Sequence, residues 1–207
     1  MSVKLYGFWR SLAAYRVRVA LKLKGIDYQE IPVNLLAGGQ HDPAYLAINP
    51  QGAVPALVVP GLSQPLFQSM AILDYLDHAY PQSPLMPSNA AERARVLALC
   101  HVCTSDGHPL VVPRVRNYLQ NTLKLDETTR NTWLSHWTLQ SLMTYERVLT
   151  KDSLYGLYSH GEQKRYGCKD MLIQITSSIS PTHSTSRLLP LKNMHHRLAI
   201  WKTLKRC

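Results

Sequence analysis

The sequence predicts an α/β layer over residues 1–82 followed by an all-helical segment over 88–163. Three observations carry this. The first part alternates strand-type runs of period two with helix-type runs of period 3.6. Pro81, Pro84 and Pro87 then punctuate a linker. Beyond them the apolar pattern is helical only, and helices gathered after a small α/β layer mark two architectures in one chain.

Each element has its own warrant. Residues 3–8 alternate and carry aromatics, as a strand does. Ser11 is placed to cap a helix reaching about Lys24, with Ala14, Val17, Ala20 and Leu21 at helical spacing. Gly25 fits the position just past its end. Residues 28–34 read as a second strand, Gly38-Gly39 as a loop and 42–48 as a short helix. Residues 56–59 and 65–67 read as two more strands, and 69–80 as an amphipathic helix. In the second part, residues 91–107 form one helical run, which 115–124 continue past Pro109 and Pro113. Residues 126–150 form another, with Trp133, Trp137, Leu142, Tyr145 and Val148 along it.

Composition narrows the class. Hydrophobic residues make up 45%, the share of an ordinary globular chain. No apolar run reaches the ~18 residues that would span a bilayer. The N-terminus shows no signal-peptide pattern, and four irregularly spaced cysteines give no disulfide framework. A cytoplasmic protein is expected, with no membrane partner. The formal charge of +10 invites a nucleic-acid reading, but its location argues against one. Residues 164–207 hold nine Lys/Arg and one acid, while 1–163 hold fourteen Lys/Arg and twelve acids. The basicity belongs to the tail, and no nucleic-acid motif accompanies it. Cys100-His101-Val102-Cys103 lacks a second pair, so it is read as buried thiols rather than a metal site.

The most informative stretch is Asn49-Pro50-Gln51-Gly52-Ala53-Val54-Pro55-Ala56-Leu57, followed by Phe67-Gln68-Ser69-Met70-Ala71-Ile72. Pro55 cannot donate to a sheet ladder and belongs at a strand's start. Val54-Pro55 is a place where a cis peptide is cheap. A cis bond there would turn the Val54 N–H and C=O toward an extended, peptide-like ligand. Gln68-Ser69 opens a helix whose first-turn N–H groups suit a carboxylate. Together these describe a pocket for a small acidic peptide.

These motifs resemble the zeta class of glutathione transferases, the branch that includes bacterial maleylacetoacetate isomerases. The likeness also runs through Leu5-Tyr6-Gly7-Phe8-Trp9-Arg10-Ser11, Ala13-Ala14-Tyr15-Arg16-Val17-Arg18-Val19-Ala20-Leu21, Lys24-Gly25-Ile26-Asp27-Tyr28, Val33-Asn34-Leu35-Leu36 and His108-Pro109-Leu110. It implies a thioredoxin-like N-terminal domain, an all-α C-terminal domain, a homodimer and glutathione as cofactor. The implied reaction is isomerisation of maleylacetoacetate to fumarylacetoacetate, in aromatic amino-acid catabolism. A thiolate adds to the cis double bond, the bond rotates and the thiolate leaves. General glutathione transfer, dehalogenation of α-halo acids and an inactive protein of the same fold are the alternatives.

The resemblance also implies site residues. Ser11 would activate the thiol, with a backbone N–H near Ala13 beside it; alone, Ser11 reads equally as a plain N-cap. Gln68 and Ser69 would hold the γ-glutamyl end, and Val54 and Pro55 the cysteinyl unit. Gln40 would reach the glycine end, or is an exposed loop residue. Arg10 or Arg16 would hold a carboxylate of the dicarboxylate substrate; Arg16 and Arg18 read equally as helix-surface residues. His108 would contact ligand, or serve a helix kink beside Pro109. No metal is implied.

Three departures stand out. Leu12 replaces the second of two serines in the family motif. Val111-Val112-Pro113 replaces an Asn-containing segment. The helix-capping element expected after the turn His160-Gly161-Glu162 is missing beyond Gln163. From Lys164 the chain is basic, and residues 176–187 keep no period, with a helix expected only near 196–205. A shifted coding frame near Gln163 and a divergent C-terminus both account for this. The segment 164–207 is expected not to complete the helical domain.

Overall fold

The computed structural model describes residues 2–151. The tail 164–207, the turn at 160–162 and the helix expected near 196–205 lie outside the described residues. Two units divide the described chain: residues 2–101 with 148–151, and residues 102–147.

The first unit is built on a four-stranded sheet of order β2-β1-β3-β4. Strand β1 (Val3–Gly7) pairs in parallel with β2 (Tyr28–Pro32), Leu5 facing Glu30. β1 also pairs antiparallel with β3 (Ala56–Val58), which pairs antiparallel with β4 (Leu66–Phe67). This mixed order is the thioredoxin-like layer that the sequence pattern and resemblance imply. Val3, Leu5 and Gly7 alternate with less buried residues along β1, as a period of two requires. Leu5 and Leu57 pack with Val17 and Leu21 of α1 (Leu12–Leu23) and with Ile72 and Leu76 of α3 (Ser69–Ala79). Truncating any of these fully buried leucines costs about 2–5 kcal/mol.

Local chemistry sets the element ends. Ser11 caps α1, its hydroxyl accepting from the Ala14 N–H at 3.2 Å. At the other end Gly25 has φ +66. Its N–H reaches Lys22 O and the Ile26 N–H reaches Leu21 O, which closes the helix in the left-handed glycine motif. β2 stops at Pro32, two residues sooner than its apolar pattern suggests. There the Asn34 side chain accepts from the Leu36 and Ala37 N–H groups and winds a 3-10 turn, Leu35–Ala37. A second 3-10 turn, Gly39–His41, leads into the short helix α2 (Pro43–Leu46).

A buried ion pair fastens the end of α3. Lys24 Nζ lies 3.0 Å from Asp77 Oδ1 and also donates to the carbonyls of Tyr80 (2.7 Å) and Ser83 (3.2 Å). Two carbonyls thus accept from the ammonium while the Asp77 carboxylate balances its charge. Asp77 in turn accepts from the Leu85 N–H at 2.6 Å. Asn89 caps α4 (Ala90–His101), accepting from the Ala91 and Glu92 N–H groups.

In the second unit the winding departs from the expected single helix. Residues Val102–Gly107 widen to π-helix and His108–Leu110 tighten to 3-10. Two local features accompany the change. Pro109 has no N–H to continue the α pattern. A Cβ at Gly107 would collide with the Ser141 hydroxyl and stand 2.8 Å from its Cβ, so the backbone there runs directly against that side chain. Helix α5 (Pro113–Asn117) starts on a proline and widens into a π turn, Tyr118–Thr122. The long helix α6 (Glu127–Lys151) is capped by Asp126, which accepts from the Thr129 N–H at 2.7 Å. That bond, first among several, holds the Asp126 carboxyl below its usual range. Trp133 donates to Leu110 O at 2.8 Å and pins the 3-10 turn.

Among the described residues, no helix is long and apolar enough to cross a membrane, and no three His, Cys, Asp or Glu side chains gather around a point where a metal could sit. Cys103 is a buried thiol. Cys100 is not a thiol but disulfide-bonded, which corrects the reading of two buried thiols. Irregular cysteine spacing carries no register from which a single bridge is read.

Candidate functional site

Two helix N-termini and one loop in the first unit hold most of the residues singled out in the sequence. The first terminus is that of α1. Ser11 Oγ accepts one backbone hydrogen bond, from Ala14, and a hydroxyl that accepts still has a proton to donate. The Ala13 N–H lies in the same first turn, where the helix supplies no acceptor of its own. Just before it, Arg10 stacks over the Trp9 ring, 5.5 Å from the centroid. Trp9 is 74% exposed, so the guanidinium is presented on an open aromatic support.

The second terminus is that of α3. β4 runs into α3 through Gln68 alone, and Gln68 takes φ +66. A non-glycine residue in that region carries roughly 1–3 kcal/mol of strain. Its side chain makes no cap to the helix and instead donates to Gln51 Oε1 at 3.0 Å. The first turn of α3 therefore keeps its N–H groups uncapped by the residue placed to cap them. Ser69 is buried, and its hydroxyl accepts twice from Arg16, from Nε at 3.1 Å and Nη2 at 2.9 Å.

Arg16 is thus neither a surface residue nor an exposed hand for substrate. The fifth residue of α1, it faces α3 and is 8% exposed. Arg18 keeps a structural role: its Nε meets Glu30 at 2.8 Å and its Nη2 donates to Phe8 O.

The loop is the segment before β3. Val54-Pro55 is a cis peptide, as the sequence suggests. The carbonyl just before it, that of Ala53, accepts from both the Tyr45 hydroxyl and Asn49 Nδ2, each at 2.6 Å. Asn49 has no exposed surface at all, and its Oδ1 accepts from the Gln51 N–H at 3.1 Å. Burial raises the Tyr45 hydroxyl to about 12, against the opposing pull of its Asn49 neighbour. It therefore stays a protonated donor through the whole neutral range. Gly52, at φ +61, packs against the Gln40 carbonyl; a Cβ there would stand 3.3 Å from that oxygen. Gln40 is accordingly not a free loop residue. Its Oε1 is buried and has no hydrogen-bond partner among the described residues.

Direct contacts join several of these positions within the first unit. Arg16 joins α1 to Ser69, and Gln68 joins Gln51. Asn49 and Tyr45 fix Ala53 beside Val54, and Gln40 abuts Gly52. His108 belongs to the second unit, where it opens the turn that Trp133 pins. Sequence reading missed Asn49, Tyr45 and the role of Arg16. Asn49 and Tyr45 stand in the quoted motif or at an apolar position of α2, where a polar atom in a buried place signals a partner.

Comparison with known proteins agrees with the geometry. Residues 1–78 match the family model "Glutathione S-transferase, N-terminal domain". The chain is 46% identical over 149 residues to the maleylacetoacetate isomerase of Pseudomonas aeruginosa, covering 71% of this chain and 69% of that protein. It is similar in structure to the maleylacetoacetate isomerase of Methylobacterium extorquens AM1, crystallised with malonate and GSH. There the TM-score is 0.78 at 43% identity, covering 84% of this chain and 80% of that one. A maleylpyruvate isomerase described as a bacterial glutathione S-transferase of zeta class gives a TM-score of 0.77 at 38% identity, covering 84% and 81%.

Proposed function

Because this chain belongs to the zeta class of glutathione transferases, we propose that it is a glutathione-dependent isomerase converting maleylacetoacetate to fumarylacetoacetate. The observation that carries the reading is Ser11 at the N-terminus of α1. Its oxygen is engaged by the Ala14 N–H, which leaves its proton to donate to a sulfur anion. Such a donor, beside first-turn N–H groups, lowers a thiol's pKa.

The residues present fit glutathione on two observations. Gln40 Oε1 is a buried acceptor still lacking a donor, and the α3 terminus offers N–H groups that Gln68 does not cap. When bound, glutathione supplies a thiolate nucleophile for addition to the activated double bond. Ser69 and Gln68 would hold the γ-glutamyl end, the Val54 backbone before Pro55 the cysteinyl unit, and Gln40 the glycine end. Ser11, with the Ala13 N–H, would hold the thiolate charge. Arg10, displayed over Trp9, would take a carboxylate of the substrate. The family resemblance also assigns a ligand contact to His108.

Family membership also supports a homodimer, a role in aromatic catabolism and a cytoplasmic setting. Sedimentation at micromolar concentration tests the first: a dimer is expected, and a monomer alone refutes it. The test of the function is isomerisation of maleylacetoacetate, followed with and without glutathione. Turnover strictly dependent on glutathione supports the proposal. Binding of glutathione without turnover, or turnover unaffected by its removal, refutes it.

A further inference from the structure

We propose that Arg16 is the positioning residue of the Ser69 hydroxyl, committing its proton to an anionic group at the N-terminus of α3. The proposal rests on reading that terminus as the γ-glutamyl end of the glutathione site. A serine hydroxyl has one proton to give and two lone pairs to receive with. On a helix's first turn it ordinarily rotates and bonds nearby backbone. Here two N–H groups of one guanidinium converge on Ser69 Oγ at 3.1 and 2.9 Å. The acceptor side is filled by a cation, so the proton points away from Arg16. The bond from a charged donor also polarises the hydroxyl, which strengthens the bond it gives.

The Ser69 proton, directed away from Arg16, and the first-turn N–H groups that Gln68 does not cap together suit a carboxylate seated over the terminus. Arginine suits the position because its planar fork aims two donors at one atom, which a lysine ammonium does not reproduce.

The test compares binding of glutathione with binding of γ-aminobutyryl-cysteinyl-glycine, the same peptide without its γ-glutamyl α-carboxylate, by calorimetry. The wild type is expected to prefer glutathione by about ten- to a hundredfold. Arg16→Gln and Ser69→Ala should each lose most of that preference by weakening glutathione binding alone. Arg16→Lys should recover part of it, and Ser69→Ala should cost less in the Arg16→Lys background than in the wild type. In turnover, KM for glutathione should rise while kcat holds. Equal loss for both peptides, an unchanged preference, or strictly additive effects of Arg16→Lys and Ser69→Ala would overturn the proposal; the lysine pair decides it if Arg16→Gln does not fold. A wild type that binds neither peptide overturns the glutathione reading itself, and this proposal with it.

Discussion

Asn49→Ala should destabilise the first unit by about 1–3 kcal/mol and loosen the loop that presents Val54. The side chain is wholly buried and makes two bonds, Nδ2 to Ala53 O at 2.6 Å and Oδ1 from the Gln51 N–H at 3.1 Å. Each is worth about 0.5–1.5 kcal/mol net. Ala53 O keeps its second donor, the Tyr45 hydroxyl, and Gln51 is exposed enough for water to reach, so no group is orphaned outright. Asn49→Asp is nearly isosteric yet should be worse. It places a carboxylate oxygen against the Ala53 carbonyl in a buried site, a cost well above that of the lost donor. Urea unfolding followed by circular dichroism measures both. The midpoint should fall in the order wild type, alanine, aspartate, with the slope unchanged. An aspartate variant as stable as the wild type, or an alanine variant within 0.5 kcal/mol of it by the same estimate, would refute the account of this loop.

Other consequences follow from single contacts. Asp77→Ala leaves the Lys24 ammonium buried without its carboxylate and should cost about 3–5 kcal/mol; adding Lys24→Met should restore much of the loss in thermal melts. Tyr45, raised to about 12 from an unfolded value near 10, favours the folded state while protonated. That stability is complete below pH ~10 and should decline by about 2–3 kcal/mol toward pH ~12, a decline that Tyr45→Phe should flatten. Gly107→Ala drives a methyl into Ser141 and should cost about 1–3 kcal/mol; Ser141→Gly should relieve it in the double variant.

What was legible in the sequence is what residues encode next to themselves. Ser11, Gly25 and Asn34 set helix and turn ends through bonds spanning a few residues, and Pro55 marks its own strand start. The alternation of β1 and the spacing along α1 and α3 then imply the sheet and its cover. Arg16 was ambiguous because helical spacing places it on a face without saying what packs there. Its partner, Ser69, is 53 residues away. The close packing of Ser141 against Gly107 was illegible for the same reason, since the two stand far apart in the chain. Gln68 taking φ +66 breaks a local preference, and such breaks gather at ligand sites. Gln40 was open between a ligand contact and an exposed loop residue because nothing in the sequence says that its Oε1 is buried.

The most direct test is the pKa of the glutathione thiol bound to the protein, read from thiolate absorbance across a pH titration. Bound to the wild type, the thiol should titrate well below the ordinary value near 8.5. Ser11→Ala should raise it by about 1.5–3 units, the equivalent of one lost anion donor worth about 2–4 kcal/mol. A bound thiol that titrates at the same pH in wild type and Ser11→Ala would contradict the assignment of Ser11.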